Sequence, residues 1–248
     1  MRQVPNSKSK YSYLIVGNGK LSKHFQHYFK LKSISYKIFT RNSKEAFQSL
    51  AQKSKRILVL INDDELLQFI KSNKKKSLQD KIWIHCSGSL STPLAESAHP
   101  LMTFTDQLYD LEFYESIVFI TEQNKKDFKE LFPELNNKSY QINSEEKEFY
   151  HAMCVISGNF TTILWKIFFD YLESKNIPQS SAHNYLKAVT KNLIENSNPL
   201  TGPIQRNDKK LIQRHLQILN GSPLQNVYKS FLEAYKILIK DNRIEINK

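Results

Sequence analysis

The chain has 248 residues, 40% hydrophobic and 12% aromatic, which suits one or two globular domains and excludes intrinsic disorder. Its net charge of +12 comes from lysines spread along the whole length, a solvated basic surface with no helix-turn-helix or stacking-aromatic motif to support a nucleic-acid partner. The two cysteines, Cys86 and Cys154, lie far apart, so neither a disulfide framework nor metal-ligand spacing is present and no metal is expected.

Residues 1–10 are polar. Tyr11–Val16 reads as a buried strand and Leu21–Phe29 as a helix, with Phe25, Tyr28 and Phe29 at helical spacing. Tyr36–Thr40 is a short strand and Glu45–Gln52 a helix. Arg56–Ile61 is a near-continuous apolar strand, the pattern of a strand covered on both faces. Asn62-Asp63-Asp64 supplies a cap for a helix at Glu65–Ser72. Lys81–His85, Ser116–Ile120 and Ser139–Ile142 are further strands. Strands alternating with helices predict an α/β fold with a parallel sheet. No apolar run approaches the roughly 18 residues of a membrane helix, so no membrane partner is expected. The first apolar run, Tyr13 to Val16, is too short for a signal-peptide core, so a cytoplasmic protein is expected.

The pattern changes near residue 143. Ser144–Ser174 is one long apolar-periodic helix, Pro178 starts a second helical stretch to Glu195, Asp208 caps a third through Leu219, and Ser222-Pro223 opens a last one to Lys240. The expected organisation is a Rossmann-type parallel-sheet domain over residues 1–143, followed by an all-α domain over residues 144–248.

Gly17-Asn18-Gly19, then Lys20, Leu21 and Ser22, follow a strand and open a helix, the context in which a glycine turn binds a dinucleotide. Ser22 stands where the full fingerprint has a third glycine. The free amides and positive end of the helix would face the pyrophosphate. At the end of the second strand, an NAD-selective site carries an acid for the ribose 2′-hydroxyl. Here Thr40, Arg41, Asn42 and Ser43 occupy it. Arg presents a fork of donors suited to a 2′-phosphate, so the sequence predicts NADPH over NADH; the alternative is a solvated basic turn.

The segments YLIVGNGKLSKHF, HCSGSLS (85–91), HPLMTF (99–104), EKEFYHAMCVISGNF (146–160) and LTGPIQRNDKKLIQRHLQIL (200–219) occur in one order. Together they resemble a family of Rossmann-like oxidoreductases whose helical C-terminal half is a domain of unknown function. That family is related in architecture to pyrroline-5-carboxylate reductases and β-hydroxyacid dehydrogenases. The resemblance covers most of the chain and implies an NADP-dependent oxidoreductase and a homodimer. A Lys-rich bacterial branch implies reduction of ketopantoate to pantoate in pantothenate synthesis.

Ligands of open parallel sheets sit beyond the carboxyl ends of the strands, which puts Asn62, Asp63 and Ser87 beside the nicotinamide. The resemblance also places His99 near the cofactor; the alternative is a structural histidine. Keto-acid reduction needs a proton donor, a partner for the carbonyl and a cation for the substrate carboxylate. His151 is the candidate acid; its alternative is a histidine on the helix surface. Asn159, eight residues on and broadly on the same helical face, is the candidate carbonyl or carboxamide partner. Arg206, just before the helix capped by Asp208, is the candidate carboxylate clamp; its alternative is an ion pair with Asp208. Other readings are a cyclic imine reductase and a non-catalytic NADP-binding sensor.

Overall fold

A computed structural model describes residues 9–196 and 198–240. Contacts divide the chain into two compact units, Met1–Leu164 and Trp165–Lys248. The first unit is built on β1 (Tyr11–Val16), α1 (Lys20–Leu31), β2 (Tyr36–Phe39), α2 (Phe47–Gln52), β3 (Ser54–Val59), α3 (Asp63–Asn73), β4 (Ile82–His85), β5 (Glu96–Pro100), α4 (Leu111–Ser116), β6 (Phe119–Glu122), α5 (Phe128–Leu131) and β7 (Ser139–Ile142).

The strands form one sheet in the order β2-β1-β3-β4-β5-β6-β7. The first five are parallel to one another, as in a doubly wound Rossmann-type sheet. Strand β6 departs from the all-parallel expectation. It pairs antiparallel with β5 and parallel with β7. Strand β5, in the stretch ESAHP, escaped the sequence reading because it has no β-branched residue and ends in proline. The strand expected at Ser116–Ile120 begins at Phe119, because Asp110 caps α4 by accepting from the Phe113 amide at 2.8 Å and that helix runs to Ser116.

Alternation along β1 sends side chains to two separate cores. Tyr13 and Ile15 join Phe25 and Phe29 of α1 with Phe128 and Phe132 on one face. Leu14 and Val16 join Phe47 of α2, Leu66 and Ile70 of α3, and Trp83 on the other. Both faces are therefore covered, which explains the unbroken apolar run in β3. Chain order reverses between β1 and β3, so the loops after these strands diverge and leave a crevice at their carboxyl ends.

A 3-10 turn at Ser144–Glu146 leads into α6 (Lys147–Cys154). A π-helical stretch, Val155–Phe160, joins α6 to α7 (Thr161–Ser174), as the single long helix predicted. This helical stretch is long enough, with a mean hydropathy of 1.4, to cross a membrane by length and composition. Its apolar residues are interspersed with polar ones, so no uninterrupted apolar run marks it in the sequence. Phe149, Met153, Ile156, Phe160 and Ile163 are all exposed along this stretch.

The second unit contains α8 (His183–Glu195), a short α9 (Gly202–Gln205), α10 (Lys209–Ile218) and α11 (Pro223–Lys240). Asp208 caps α10 as expected, accepting from the Leu211 amide at 3.0 Å. Helices α10 and α11 are tied by His215 Nδ1 with the Tyr228 hydroxyl at 3.0 Å and by Gln225 Nε2 donating to the Leu216 carbonyl at 2.8 Å. Leu193, Ile194 and Ile218 of this unit are largely exposed.

Candidate active site

The crevice at the β1/β3 switch is a cleft of about 970 Å³. Its walls include Gly17, Asn18, Gly19, Lys20, Leu21, Thr40, Arg41, Asn42, Asn62, Asp63 and Ser87, all singled out by the sequence. The glycine turn fits a phosphate cradle by two observations. Gly17 has φ +107°, and a Cβ there would stand 2.2 Å from the Leu60 carbonyl oxygen, so the turn after β1 presses against the end of β3. A Cβ on Gly19 would meet nothing within 4 Å, and the helix it opens carries no side-chain cap, so the first amides of α1 stay open to the cleft. Ser22 fulfils the third position differently from glycine: its hydroxyl donates to the Gly17 carbonyl at 2.8 Å and fastens α1 to the turn.

At the β2 end, the turn is built by its own polar side chains. The Thr40 amide donates to Ser43 Oγ at 2.8 Å, and the Asn42 amide to Thr40 Oγ1 at 3.3 Å. Ser43 thus shapes the turn and is not among the residues lining the cleft. Arg41 is exposed and pairs with Glu65 Oε1 of α3 at 2.5 Å. Sequence reading missed Glu65, since only the β1/β3 crossover brings α3 beside the β2 turn. Asn62 occupies the N-cap position of α3 but makes no capping hydrogen bond, contrary to expectation. Its neighbour Asp63 instead accepts from the Ser87 hydroxyl at 2.6 Å. Ser87 Oγ accepts in turn from the Leu90 amide at 3.0 Å, so a single hydroxyl links the loops after β3 and β4.

Next to Ser87 the chain reaches Gly88, against which two histidines converge. A Cβ on Gly88 would lie 2.5 Å from His151 Cδ2 and 3.0 Å from His99 Nε2. The two rings are perpendicular with centroids 5.8 Å apart. His99, at the end of β5, does not line the cleft; its Nδ1 is 2.8 Å from the Tyr150 hydroxyl. Burial, followed by the charges of His151 and Lys147, pushes His99 down to about 4. Burial and the adjoining Cys154 raise the Tyr150 hydroxyl above its ordinary value. Tyr150 stands beside the predicted His151 in FYHAM, and nothing local marks it as the residue that reaches back to β5.

A buried ion pair underlies this wall. Lys147 at the start of α6 and Glu122 at the end of β6 are 3% and 1% exposed and 3.0 Å apart. Lys147 also donates to the Leu90 carbonyl and, at 2.6 Å, to Ser97 Oγ. Glu122 accepts from Ser91 at 2.6 Å, Ser144 at 2.8 Å and Lys125 at 2.8 Å. Burial pushes Glu122 up, but these hydrogen bonds and Lys147 outweigh it and hold the carboxyl at about 2. Lys147 is lowered by burial against the pull of Glu122. Beneath it, His85 is fully buried with Nε2 unpartnered, and burial followed by Lys147 pushes it down to about 3.

Asn159 is exposed within the π-helical stretch. The wider i→i+5 turns there break the 3.6-residue count that aligned it with His151. Arg206 belongs to the second unit, closing α9, where its amide donates to the Gly202 carbonyl at 3.1 Å. Among the described residues no ion pair joins it to Asp208. Also among the described residues, no cluster of His, Cys, Asp or Glu could hold a metal ion.

Residues 117–238 match a family described as a domain of unknown function, DUF2520. No protein of curated function matches the sequence. Among solved structures, the chain is similar to a Bacteroides fragilis protein described as a candidate NADP oxidoreductase, with TM-score 0.72 and 19% identity, covering 91% of this chain and 98% of that one. It is also similar to a Thermotoga maritima protein described without an activity, with TM-score 0.67 and 20% identity, covering 93% and 99%. A third is the Plasmodium falciparum pyrroline carboxylate reductase with NADP bound, with TM-score 0.57 and 12% identity, covering 90% and 95%. These likenesses establish the fold, a Rossmann-type sheet unit followed by helices.

Proposed function

We propose that the protein is an NADPH-dependent reductase of a small 2-keto acid, with ketopantoate as the specific substrate. The observation that carries this reading is the glycine-walled cleft at the switch point, ending at Ser87 beside the two histidines on Gly88. Open amides at the start of α1 suit a pyrophosphate, and Arg41 with the Thr40–Ser43 turn suits a 2′-phosphate. The similar structures described as a candidate NADP oxidoreductase and as a reductase with NADP bound support the same cofactor.

NADPH, when bound, supplies the hydride. The chain's own residues hold the substrate and manage its charge. Asp63 and Ser87 border the nicotinamide end of the cleft, His151 gives a proton to the developing alkoxide, and Arg206 binds the substrate carboxylate. Asn159 offers an amide to the carbonyl oxygen or to the carboxamide. In this reading residues 1–143 carry the cofactor, and residues 144–248 are a helical substrate and dimerisation domain of a cytoplasmic homodimer. The exposed apolar side chains Phe149, Met153, Ile156, Phe160 and Ile163 support a second copy as what covers them.

A cyclic imine is the second substrate class. It is favoured by the likeness to the pyrroline carboxylate reductase and to an Aspergillus terreus imine reductase, TM-score 0.55 at 10% identity. NADPH consumption across a panel of 2-keto acids and cyclic imines decides between them. Turnover with ketopantoate, lost in His151→Ala and Arg206→Ala, is the expected result. Turnover with imines alone overturns the keto-acid reading, and tight NADPH binding with flat traces throughout favours a sensor. Light scattering tests the dimer, and a monomer at working concentration refutes it.

A further inference from the structure

Tyr150 has no role above, and His99, expected near the cofactor, does not line the cleft; together they form a part-buried polar contact in the wall at Gly88. The Tyr150 hydroxyl lies 2.8 Å from His99 Nδ1. The opposite edge of the ring, Nε2, points at the face of Gly88, where the His151 ring also arrives. Among the described residues, Nε2 takes no hydrogen-bond partner. Cys154, one turn further on, adjoins the same hydroxyl. Of the two acceptors the imidazole nitrogen is much the stronger, so the hydroxyl proton goes to Nδ1 and the thiol remains a weak contact.

We propose that Tyr150 is a positioning residue that locks His99 as its Nε2–H tautomer, making His99 a fixed neutral donor to the reacting oxygen of the substrate beside Gly88. This rests on the reductase reading. In the reaction the carbonyl carbon gains a C–H bond from the hydride, and the C=O π pair moves onto oxygen. The alkoxide so formed is held by His99 Nε2–H and takes its proton from His151, which recovers one from water. His99 stays neutral throughout, and its N–H strengthens its hold as charge grows on the oxygen. Burial against the neighbouring His151 and Lys147 keeps the ring uncharged, as this role requires; Asp63 is the one acidic group that opposes them. Two groups then divide the work that a lone histidine would otherwise do.

Long-range 1H–15N spectra of the histidine rings in the cofactor-free protein test the lock directly, with His99 assigned through His99→Gln. The expected spectrum shows a single Nε2–H tautomer from about pH 5.5 to 8, and a mixture of tautomers in Tyr150→Phe. Turnover of the panel substrate should fall roughly 100-fold in His99→Leu and about tenfold in Tyr150→Phe. His99→Gln, which keeps an N–H donor, should recover part of the loss. NADPH affinity measured by fluorescence should stay unchanged in Tyr150→Phe, which shows that the cleft is folded. An Nδ1–H tautomer in the wild type overturns the proposal, as does a Tyr150→Phe protein whose tautomer and turnover match the wild type. Failure of every substrate in the panel overturns the reductase reading while the spectra still decide the lock.

Discussion

Lowering the pH should destabilise this fold well before its carboxylates titrate, because two buried histidines are held neutral. His85 is pushed from 6.5 down to about 3 and His99 from 6.5 down to about 4. Lys147, Glu122 and Lys125 face His85, and His151, Lys147 and Asp63 face His99. His85 has a further reason to refuse a proton: its Nδ1 accepts from the Ser87 amide at 3.3 Å. A group whose folded value is depressed binds more protons in the unfolded chain, so stability falls as pH drops below the unfolded value and levels off near the folded one. Between about pH 7.5 and 5.5 each histidine removes roughly 1.4 kcal/mol, or about 3 kcal/mol together. That is a large share of a typical stability of about 5–15 kcal/mol. Glu122, held at about 2, adds its own loss only below the ordinary carboxylate value of 4.5. Urea unfolding at the two pH values measures the sum, and His85→Leu, which keeps the bulk and removes one titration, should halve it. A wild-type difference under about 1 kcal/mol, or an undiminished one in His85→Leu, refutes the assignment of these histidines as buried and neutral.

Gly88→Ala should lower turnover sharply and stability by about 1–3 kcal/mol, since its Cβ would stand 2.5 Å from His151 Cδ2 and force that ring aside. Normal turnover, with melting temperature as the companion measurement, would remove Gly88 from the site. Lys147→Met should cost about 3 kcal/mol in urea unfolding, the low end for breaking a buried pair, because Lys125 still reaches Glu122 at 2.8 Å. Arg41→Ala should weaken NADPH about tenfold in a binding titration and leave NADH unaffected. Glu65→Gln should tighten NADPH by freeing the guanidinium that Glu65 now holds at 2.5 Å.

The cleft was legible in the sequence because its residues sit at the carboxyl ends of strands, where local pattern and position coincide. Gly17 announces itself by the strand before it and the helix after it, and Thr40 and Ser87 follow strands recognisable by their apolar runs. The wall was not legible, because it consists of pairs remote in sequence. Lys147 meets a residue 25 positions away, Tyr150 one 51 away, and the Leu90 carbonyl is 57 away from Lys147. Strand β5 is the missing link: without it His99 has no place in the sheet, and nothing suggests that α6 passes over its end. The antiparallel entry of β6 was hidden for the same reason, since periodicity reports burial and not direction.

The buried ion pair explains why that wall holds its shape. Removing a lysine and a glutamate from water costs several kcal/mol each, so the pair is a poor source of net stability. Its geometry nonetheless uses all three lysine donors, on Leu90, Ser97 and Glu122, while Glu122 takes two hydroxyls and two ammonium groups. The acceptors come from the loop after β4 and from β5, and Glu122 from the end of β6, so one ammonium fixes the first turn of α6 against three separate segments. The loop it grips contains Gly88, and the helix it anchors carries Tyr150 and His151 one turn later. A hydrophobic pair of equal volume would pack as well but would tolerate sliding along the helix axis. Directed hydrogen bonds do not, and a slide of 1.5 Å, the rise of one residue, would carry His151 off Gly88. The pair therefore sets the register of α6 on the sheet, which is what two histidines meeting on one glycine require.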